Sequence, residues 1–341
     1  MEKKVRIAIN GFGRIGKMAF KVAYENHQDE VEIVAINDPN SAKVAAQNLQ
    51  YDSVYRRFPF AVGYGEDYIT VEGKRFPKLS ELEPSKIPWQ DLKVDVVLEC
   101  TGVFCTKEKA SQHLKAGAKM VIISAPAKGD DAIPTYVMGV NHDQHKIGEE
   151  QVISNASCTT NCIAPIMQIL AKEFGLEKAM MTTIHAYTAD QNLVDGKHKD
   201  PRRARSAAIN IVPTSTGAAK ATGETVAEVK GIFDGLAFRV PVPVGSVSDI
   251  TALLKRNVTV AEINVVLEKA AQSDRYQGIL EVTKDPIVST DVVGLKASSL
   301  VDLSLTNVVA GNLVKVVAWY DNEYGYSHRL VEQAIVVGKN L

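Results

Sequence analysis

The chain has 341 residues, enough for two domains of about 150 residues each, and with 45% apolar and 23% charged residues it has the make-up of a packed protein rather than a disordered or fibrous one. Thirty-nine Lys and Arg against 40 Asp and Glu leave a net charge of −1, so no broad basic field exists to hold nucleic acid or an anionic membrane. Four cysteines are too few to staple a chain this long, and no apolar run reaches the ~20 residues of a membrane span, so a reducing, cytoplasmic location is expected.

In chain order, an apolar run from Val5 to Ile9, a glycine-rich turn, an amphipathic stretch from Ile15 to Tyr24 and a second apolar run from Val31 to Ile36 predict a β-α-β unit with a buried parallel pair. Runs at Val94 to Leu98 and Val121 to Ser124, separated by a helical stretch from Thr106 to Ala116, continue that alternation. A helix is expected from Ser157 to Phe174. Longer runs follow at Ala179 to Tyr187, Leu236 to Val244, Ser246 to Leu254, Leu295 to Leu305 and Leu313 to Tyr320, several of them alternating as in an antiparallel sheet with one covered face. The polar, basic segment from Thr188 to Asn210 has no period and reads as a long functional loop. Helical spacing from Tyr326 to Val337 predicts a last helix that packs back on the first domain. The expected fold is α/β: a Rossmann-type doubly wound domain over residues 1–157, completed by a helix at about 323–341, and an α+β catalytic domain over 158–322 with a mostly antiparallel sheet.

Gly11-Phe12-Gly13-Arg14-Ile15-Gly16 sits between a strand and a helix, where Gly11, Gly13 and Gly16 serve a tight turn, close approach to a pyrophosphate and close helix packing. Asp38 ends the second strand. A carboxylate there accepts from ribose hydroxyls and repels a 2′-phosphate, which favours NAD over NADP, although the same residue can cap the Asp38-Pro39 turn.

Ser154-Asn155-Ala156-Ser157-Cys158 gives way to helix, so Cys158 is expected in the first turn, where unpaired backbone N–H groups favour a thiolate and donate to an oxyanion. Cys162, one turn deeper, reads as a packed small residue. His185 stands near the end of an apolar strand and is the candidate base; His27, His113, His142, His145, His198 and His328 lie in more polar stretches, several of them surface-like, no pair has zinc-motif spacing, and no metal is expected. A cysteine and a histidine beside a dinucleotide site point to thiohemiacetal formation followed by hydride transfer. Thr216 and the Gly217 N–H open a helix and suit a phosphate, with plain capping as the alternative, and Arg239 interrupts an apolar run and calls for an anion.

Together, Asn10 to Gly16, Asn155 to Cys162, His185 to Thr188, Pro213 to Lys220 and Trp319-Tyr320-Asp321-Asn322-Glu323-Tyr324-Gly325-Tyr326 resemble the phosphorylating glyceraldehyde-3-phosphate dehydrogenases over essentially the whole chain. The resemblance implies that Cys158 attacks the aldehyde of glyceraldehyde 3-phosphate, His185 takes the proton, and inorganic phosphate releases 1,3-bisphosphoglycerate from a thioester. It implies that Ser157, Thr159, Thr216 and Gly217 line the inorganic-phosphate site, while Thr188, Arg203 and Arg239 face the substrate phosphate. Arg14 and Ile15 would meet the pyrophosphate through their backbone, Ser124 would lie near the nicotinamide, and Asn322 would hold its carboxamide. A homotetramer is implied, with the Thr188–Asn210 loop reaching a neighbour. Departures from the family are Leu82 where arginine is common, Gly196-Lys197 where Leu-Pro is common, and Arg56 where glycine is usual; Lys197 is compatible with some NADP use. Erythrose-4-phosphate dehydrogenase and a non-catalytic nucleotide-binding scaffold are the rival readings. The intact Thr214–Lys220 segment argues against the first and the pairing of Cys158 with His185 against the second.

Overall fold

The computed structural model describes residues 3–129 and 131–341. The chain divides into two compact units: one holds the chain up to Tyr136, His142–Ala156 and Ser327–Leu341, and the other holds Val137–Asn141 and Ser157–Tyr326.

The first unit starts with strand β1 (Val5–Asn10), helix α1 (Arg14–Asn26) and strand β2 (Val31–Asn37), followed by α2 (Ala42–Gln50) and a small ribbon of β3 (Tyr51–Asp52) and β4 (Arg56–Arg57). Three short strands, β5 (Val62–Tyr64), β6 (Tyr68–Val71) and β7 (Lys74–Leu79), precede β8 (Val96–Glu99), α3 (Lys107–Lys115), β9 (Met120–Ile123) and β10 (Val152–Ser154). Their sheet runs β10-β9-β8-β1-β2-β7-β6-β5, parallel from β10 to β7 and antiparallel at its last two pairs. The central strands are apolar throughout because helices and loops cover both faces: Ile7, Ala8 and Ile9 are wholly buried, and Ala8 joins Val34, Val97 and Trp89 in one cluster. The first β-α-β unit and the strands at Val94–Leu98 and Val121–Ser124 form as expected. Helix α2 and the hairpins between residues 51 and 79 were not legible, because strands of two to six residues carry too little alternation to mark a period.

The second unit comprises α4 (Cys158–Phe174), β11 (Leu176–Ala186), β12 (Val212–Ser215), α5 (Ala218–Thr225), β13 (Phe233–Val240), β14 (Ser246–Leu254), α6 (Val260–Ala271), β15 (Leu280–Thr283), β16 (Ser299–Asp302), β17 (Asn307–Val309) and β18 (Leu313–Tyr320). Helix α7 (Tyr324–Gly338) carries the chain back into the first unit. The sheet order is β12-β13-β11-β14-β18-β16-β15 with β17 on β18; β11/β13 and β15/β16 are parallel and the other pairs antiparallel. Strand β14 alternates buried and part-exposed residues along its whole length, and the nearly all-buried α4 packs against β11, β14, β16 and β18.

Two expected strands are corrected. The run at Leu236–Val244 is strand only to Val240, because Pro241 and Pro243 have no N–H for the ladder, and it begins earlier, at Phe233. The run at Leu295–Leu305 is strand only over Ser299–Asp302; there the Asp302 carboxylate accepts the Ser304 N–H at 3.1 Å and turns the chain into a short 3₁₀ segment. Residues 188–210 form neither helix nor strand, and are tied internally by Arg205 on Asp195 at 2.7 Å and by the Asn192 N–H on the Arg203 carbonyl at 3.1 Å.

The structure gives Arg56 a physical account. Its φ of 64° lies in the left-handed region, where a Cβ is strained and glycine is not. Replacing Arg56→Gly should therefore raise unfolding free energy by about 0.5–1 kcal/mol, the relief of strain less the greater chain entropy of glycine. Urea denaturation measures the change, and a fall in stability would count against the strain.

Candidate active site

In the first unit, Gly11 has a φ of 90°, and a Cβ there would lie 2.8 Å from the Thr101 nitrogen. A Cβ on Gly16 would lie 1.9 Å from the Gly11 carbonyl oxygen, so turn and helix touch with no room for a side chain. Gly13, at the N-cap of α1, faces open space, and the helix start has neither a side-chain cap nor an acidic residue. These residues fit a dinucleotide pyrophosphate: the backbone is bare where phosphate oxygens must approach, at the N-terminus of α1.

The Arg14 side chain is committed elsewhere, to buried Asp52, which also holds Lys17 at 2.8 Å. Burial works to raise the Asp52 carboxyl, but hydrogen bonds from Lys17 and from the Val54 and Tyr55 N–H groups, with the Arg14 charge, hold it well below the usual carboxylate range. Asp38 caps the turn, the second of the roles weighed from sequence. One oxygen accepts the Phe12 N–H of the glycine turn at 2.8 Å; the other accepts the Asn40 N–H at 2.9 Å and the Asn40 side chain at 2.8 Å. Beneath it lies a residue the sequence reading missed: Lys78, 4% exposed, whose Nζ donates to the carbonyls of Asp38 and Leu79 and to Ser80. Burial pulls its pKa down and Asp38 opposes. Ser124 donates its N–H to the Glu99 carbonyl at 2.9 Å. Leu82 is 72% exposed, beside a Glu81 fixed by reciprocal bonds to Asn37.

His113 is a correction. It is fully buried, not surface-like: its Nδ1 accepts from Trp89 at 2.9 Å and its Nε2 meets Glu99 at 3.1 Å. The same carboxylate receives Asn10 at 2.5 Å and the Thr101 N–H at 2.8 Å, so this network braces the strand ends around the glycine turn.

In the second unit, Ser157 is the N-cap of α4, its Oγ accepting the Thr160 N–H at 3.1 Å, and Cys158 opens the helix. Cys158 Sγ lies 3.4 Å from His185 Nε2. His185 Nδ1 lies 2.7 Å from the Ala186 carbonyl, which only accepts, so the ring proton sits on Nδ1 and Nε2 turns its lone pair to the sulfur. Each group resists ionising alone. Burial pushes the Cys158 thiol up, opposed by Arg239, by the Thr159 side chain and by the backbone N–H groups of Thr159 and Cys158. Burial, then the Arg239 charge, pushes the His185 imidazole down to about 3. This modifies the expectation of a sulfur kept ionised by the helix start: the N–H groups act in the expected direction, but burial acts against them and leaves the thiol pushed up.

Arg239 donates to the Ala186 carbonyl at 3.3 Å and to Thr188 Oγ1 at 3.1 Å, while its buried Nε has no hydrogen-bond partner. Arg203 is already compensated, by Asp190, by Asp200 at 3.5 Å and by Thr214 at 2.8 Å. Thr216 Oγ1 accepts the Ala218 N–H at 3.2 Å, so the plain capping role is real, and Gly217 faces open space. The Thr159 hydroxyl also meets that of Tyr320, at 2.9 Å, which in turn meets Thr183 at 2.8 Å and lies edge-on to the His185 ring. Tyr320 was quoted only as part of a motif; its role as the bolt under Cys158 and His185 needed the fold. Asn322 Oδ1 accepts from the Gly245 N–H at 3.1 Å and from Ser246 Oγ at 3.0 Å, leaving its amide NH₂ to offer, and Ser246 in turn accepts the Ala186 N–H at 3.0 Å. Cys162 is buried, 3.7 Å from Ser299 Oγ, with its thiol pushed up to about 12 by burial.

A glycine turn of this build on a parallel sheet, joined to a second unit with a mostly antiparallel sheet and a paired cysteine and histidine, defines an NAD-dependent dehydrogenase. Two family models agree. Residues 5–107 match the glyceraldehyde 3-phosphate dehydrogenase NAD binding domain, and residues 157–322 match the C-terminal domain of the same family. The chain is 52% identical to a glyceraldehyde-3-phosphate dehydrogenase of Thermotoga maritima over 96% of its own length and 97% of the relative. It is 50% identical to one from Streptomyces coelicolor and 51% identical to one from Mycobacterium avium, each over 99% of both chains. The chain belongs to the glyceraldehyde-3-phosphate dehydrogenase family. Among the described residues no helix is long and apolar enough to cross a membrane.

Two predictions follow from these charges. His185→Asn removes the imidazole that lies 3.4 Å from the sulfur, so the midpoint of the pH profile for iodoacetamide alkylation of Cys158 should rise by about one unit or more; an unmoved midpoint would place the base elsewhere. For Asp52, whose folded pKa is depressed, the unfolded state binds the proton more readily as pH falls below the ordinary 3.8. Its stabilisation is therefore full above that value and lost progressively as pH falls from there through the lower folded pKa, and Asp52→Asn should flatten the acid limb of a stability-against-pH curve.

Proposed function

We propose that the chain converts D-glyceraldehyde 3-phosphate, NAD and inorganic phosphate to 1,3-bisphosphoglycerate, the step shared by glycolysis and gluconeogenesis, through a thioester on Cys158. The observation that carries this reading is the 3.4 Å approach of Cys158 Sγ to a His185 Nε2 whose tautomer is set by the Ala186 carbonyl. His185 takes the thiol proton as sulfur adds to the aldehyde carbon, and returns it to the carbonyl oxygen, giving a thiohemiacetal. The N–H groups at the start of α4 are donors for that oxygen. NAD, when bound, supplies the hydride acceptor. His185 takes the hydroxyl proton as the carbon gives up its hydride and becomes a thioester. Phosphate oxygen then attacks the thioester carbon, the C–S bond breaks, and the released thiolate recovers its proton from the imidazolium.

Gly11, Gly13 and Gly16, with the backbone of Arg14 and Ile15, hold the pyrophosphate in this reading; Asp38 takes the ribose, and Ser124 and the Asn322 amide serve the nicotinamide. Arg239, with Thr188 and Arg203, holds the substrate phosphate, supported by the unspent Arg239 Nε. Ser157, Thr216, Gly217 and the backbone of Thr159 hold inorganic phosphate. Lys197 is exposed, which leaves it available for limited NADP use. The NAD-binding domain is residues 1–157 with the helix at 323–341, and the catalytic domain is 158–322. A cytoplasmic homotetramer is supported by Leu193, Val194, Ile209 and Ile211 around the long loop, each 68–79% exposed, as apolar surface for a neighbour to cover.

The test is NADH formation with and without phosphate. With phosphate the enzyme should turn over; without it, NADH should stop at about one equivalent per chain as the thioester accumulates, and Cys158→Ala should abolish both while retaining NAD binding. Sustained turnover without phosphate would overturn the phosphorylating assignment in favour of hydrolytic release.

A further inference from the structure

We propose that His27, His328 and Glu332 form a binding site for a divalent transition-metal ion of the zinc class, separate from the catalytic residues. All three lie in the first unit. His328 and Glu332 stand four residues apart on α7, so they share one face, and His27 is the C-cap of α1. One ring nitrogen of each histidine and one carboxylate oxygen lie within 4.8 Å of one another. The two rings are not stacked but edge-on, 6.4 Å between centroids and tilted by 66°, so their nitrogens can converge.

A second feature prepares the site. The turn after α1 brings Glu30 back onto His27: one Glu30 oxygen lies 2.9 Å from Nδ1, and the other accepts from Lys339 at 2.8 Å. A carboxylate on Nδ1 holds the ring hydrogen there and leaves the lone pair on Nε2, the carboxylate-histidine arrangement that orients metal-ligating imidazoles. On Glu332, Arg329 donates to Oε1, which leaves Oε2 for an ion.

Two imidazoles and one carboxylate select zinc-, cobalt-, nickel- or copper-class ions over magnesium or calcium. Bonds of about 2.0–2.2 Å require the ligand atoms to close to about 3.4 Å, a small inward movement. The part-exposed side chains of His27 and Glu332, at 16% and 26%, have the freedom to make it, and solvent reaches a fourth position. Glu30 and Glu332 already balance Lys339 and Arg329, so affinity should be moderate. A bound ion would tie the end of α1 to α7, the segment by which the chain returns to this unit.

The test uses tag-free, full-length protein carrying Cys158→Ala, which removes the competing thiolate, and titrates it with Co²⁺ under visible absorption and with Zn²⁺ under thermal denaturation. The expected result is one Co²⁺ per chain at micromolar concentration, with the intense bands of a four-coordinate N/O site, and a Tm raised by Zn²⁺. Adding His27→Gln or Glu332→Gln should each weaken Co²⁺ binding by about tenfold or more and remove the Zn²⁺-induced Tm shift, read against each variant's own metal-free Tm, while NAD binding stays unchanged. Absence of the bands, or an affinity in both variants equal to that of the parent protein, would overturn the proposal.

Discussion

The candidate site is organised around one contact, between a sulfur and a nitrogen that are both poor ions in their surroundings. Burial raises the Cys158 thiol and lowers the His185 imidazole, so neither charges by itself, yet passing the proton across 3.4 Å creates no net charge. Arg239 and the N–H groups of the α4 start then favour the anionic side of the pair.

Its geometry is set by strands rather than by loops. His185 and Arg239 are register partners on the parallel pair β11/β13, which places the base and the buried guanidinium side by side. The Ala186 peptide is the common anchor: its carbonyl receives both His185 Nδ1 and Arg239, and its N–H reaches Ser246, which holds Asn322. Tyr320, from β18, bolts Thr159 of the nucleophile helix to Thr183 of the base strand. Groups from four segments distant in sequence are thereby fixed to about the precision that near-attack geometry requires.

The two arginines divide the anion work by their compensation. Arg203 is surrounded by Asp190 and Asp200 and is held in place whether or not an anion is present. Arg239 keeps a buried nitrogen without a partner, a cost that a bound phosphate oxygen would remove. Burial lowers the Arg239 pKa, the neighbouring Cys158 opposes that, and the Arg203 charge adds to the lowering.

Residue order alone determined what depends on local chemistry. The glycine turn was legible because only glycine tolerates a Cβ position 1.9 Å from a carbonyl or a φ of 90°, and Cys158 was legible because capping residues precede it. Tertiary structure decided whatever rests on burial and long-range pairing. The short hairpins of residues 51–79 lacked a readable period, the strand at Leu295–Leu305 was cut short by Asp302, and the left-handed turn at Arg56 carried no mark in its side chain. Lys78 under Asp38, the enclosed His113 and the meeting of His27 with His328 join residues whose separation along the chain says nothing of their distance in space. The reason is that solvation and Coulomb terms are set by what surrounds a group in three dimensions, whereas propensity and capping act within a few residues of it.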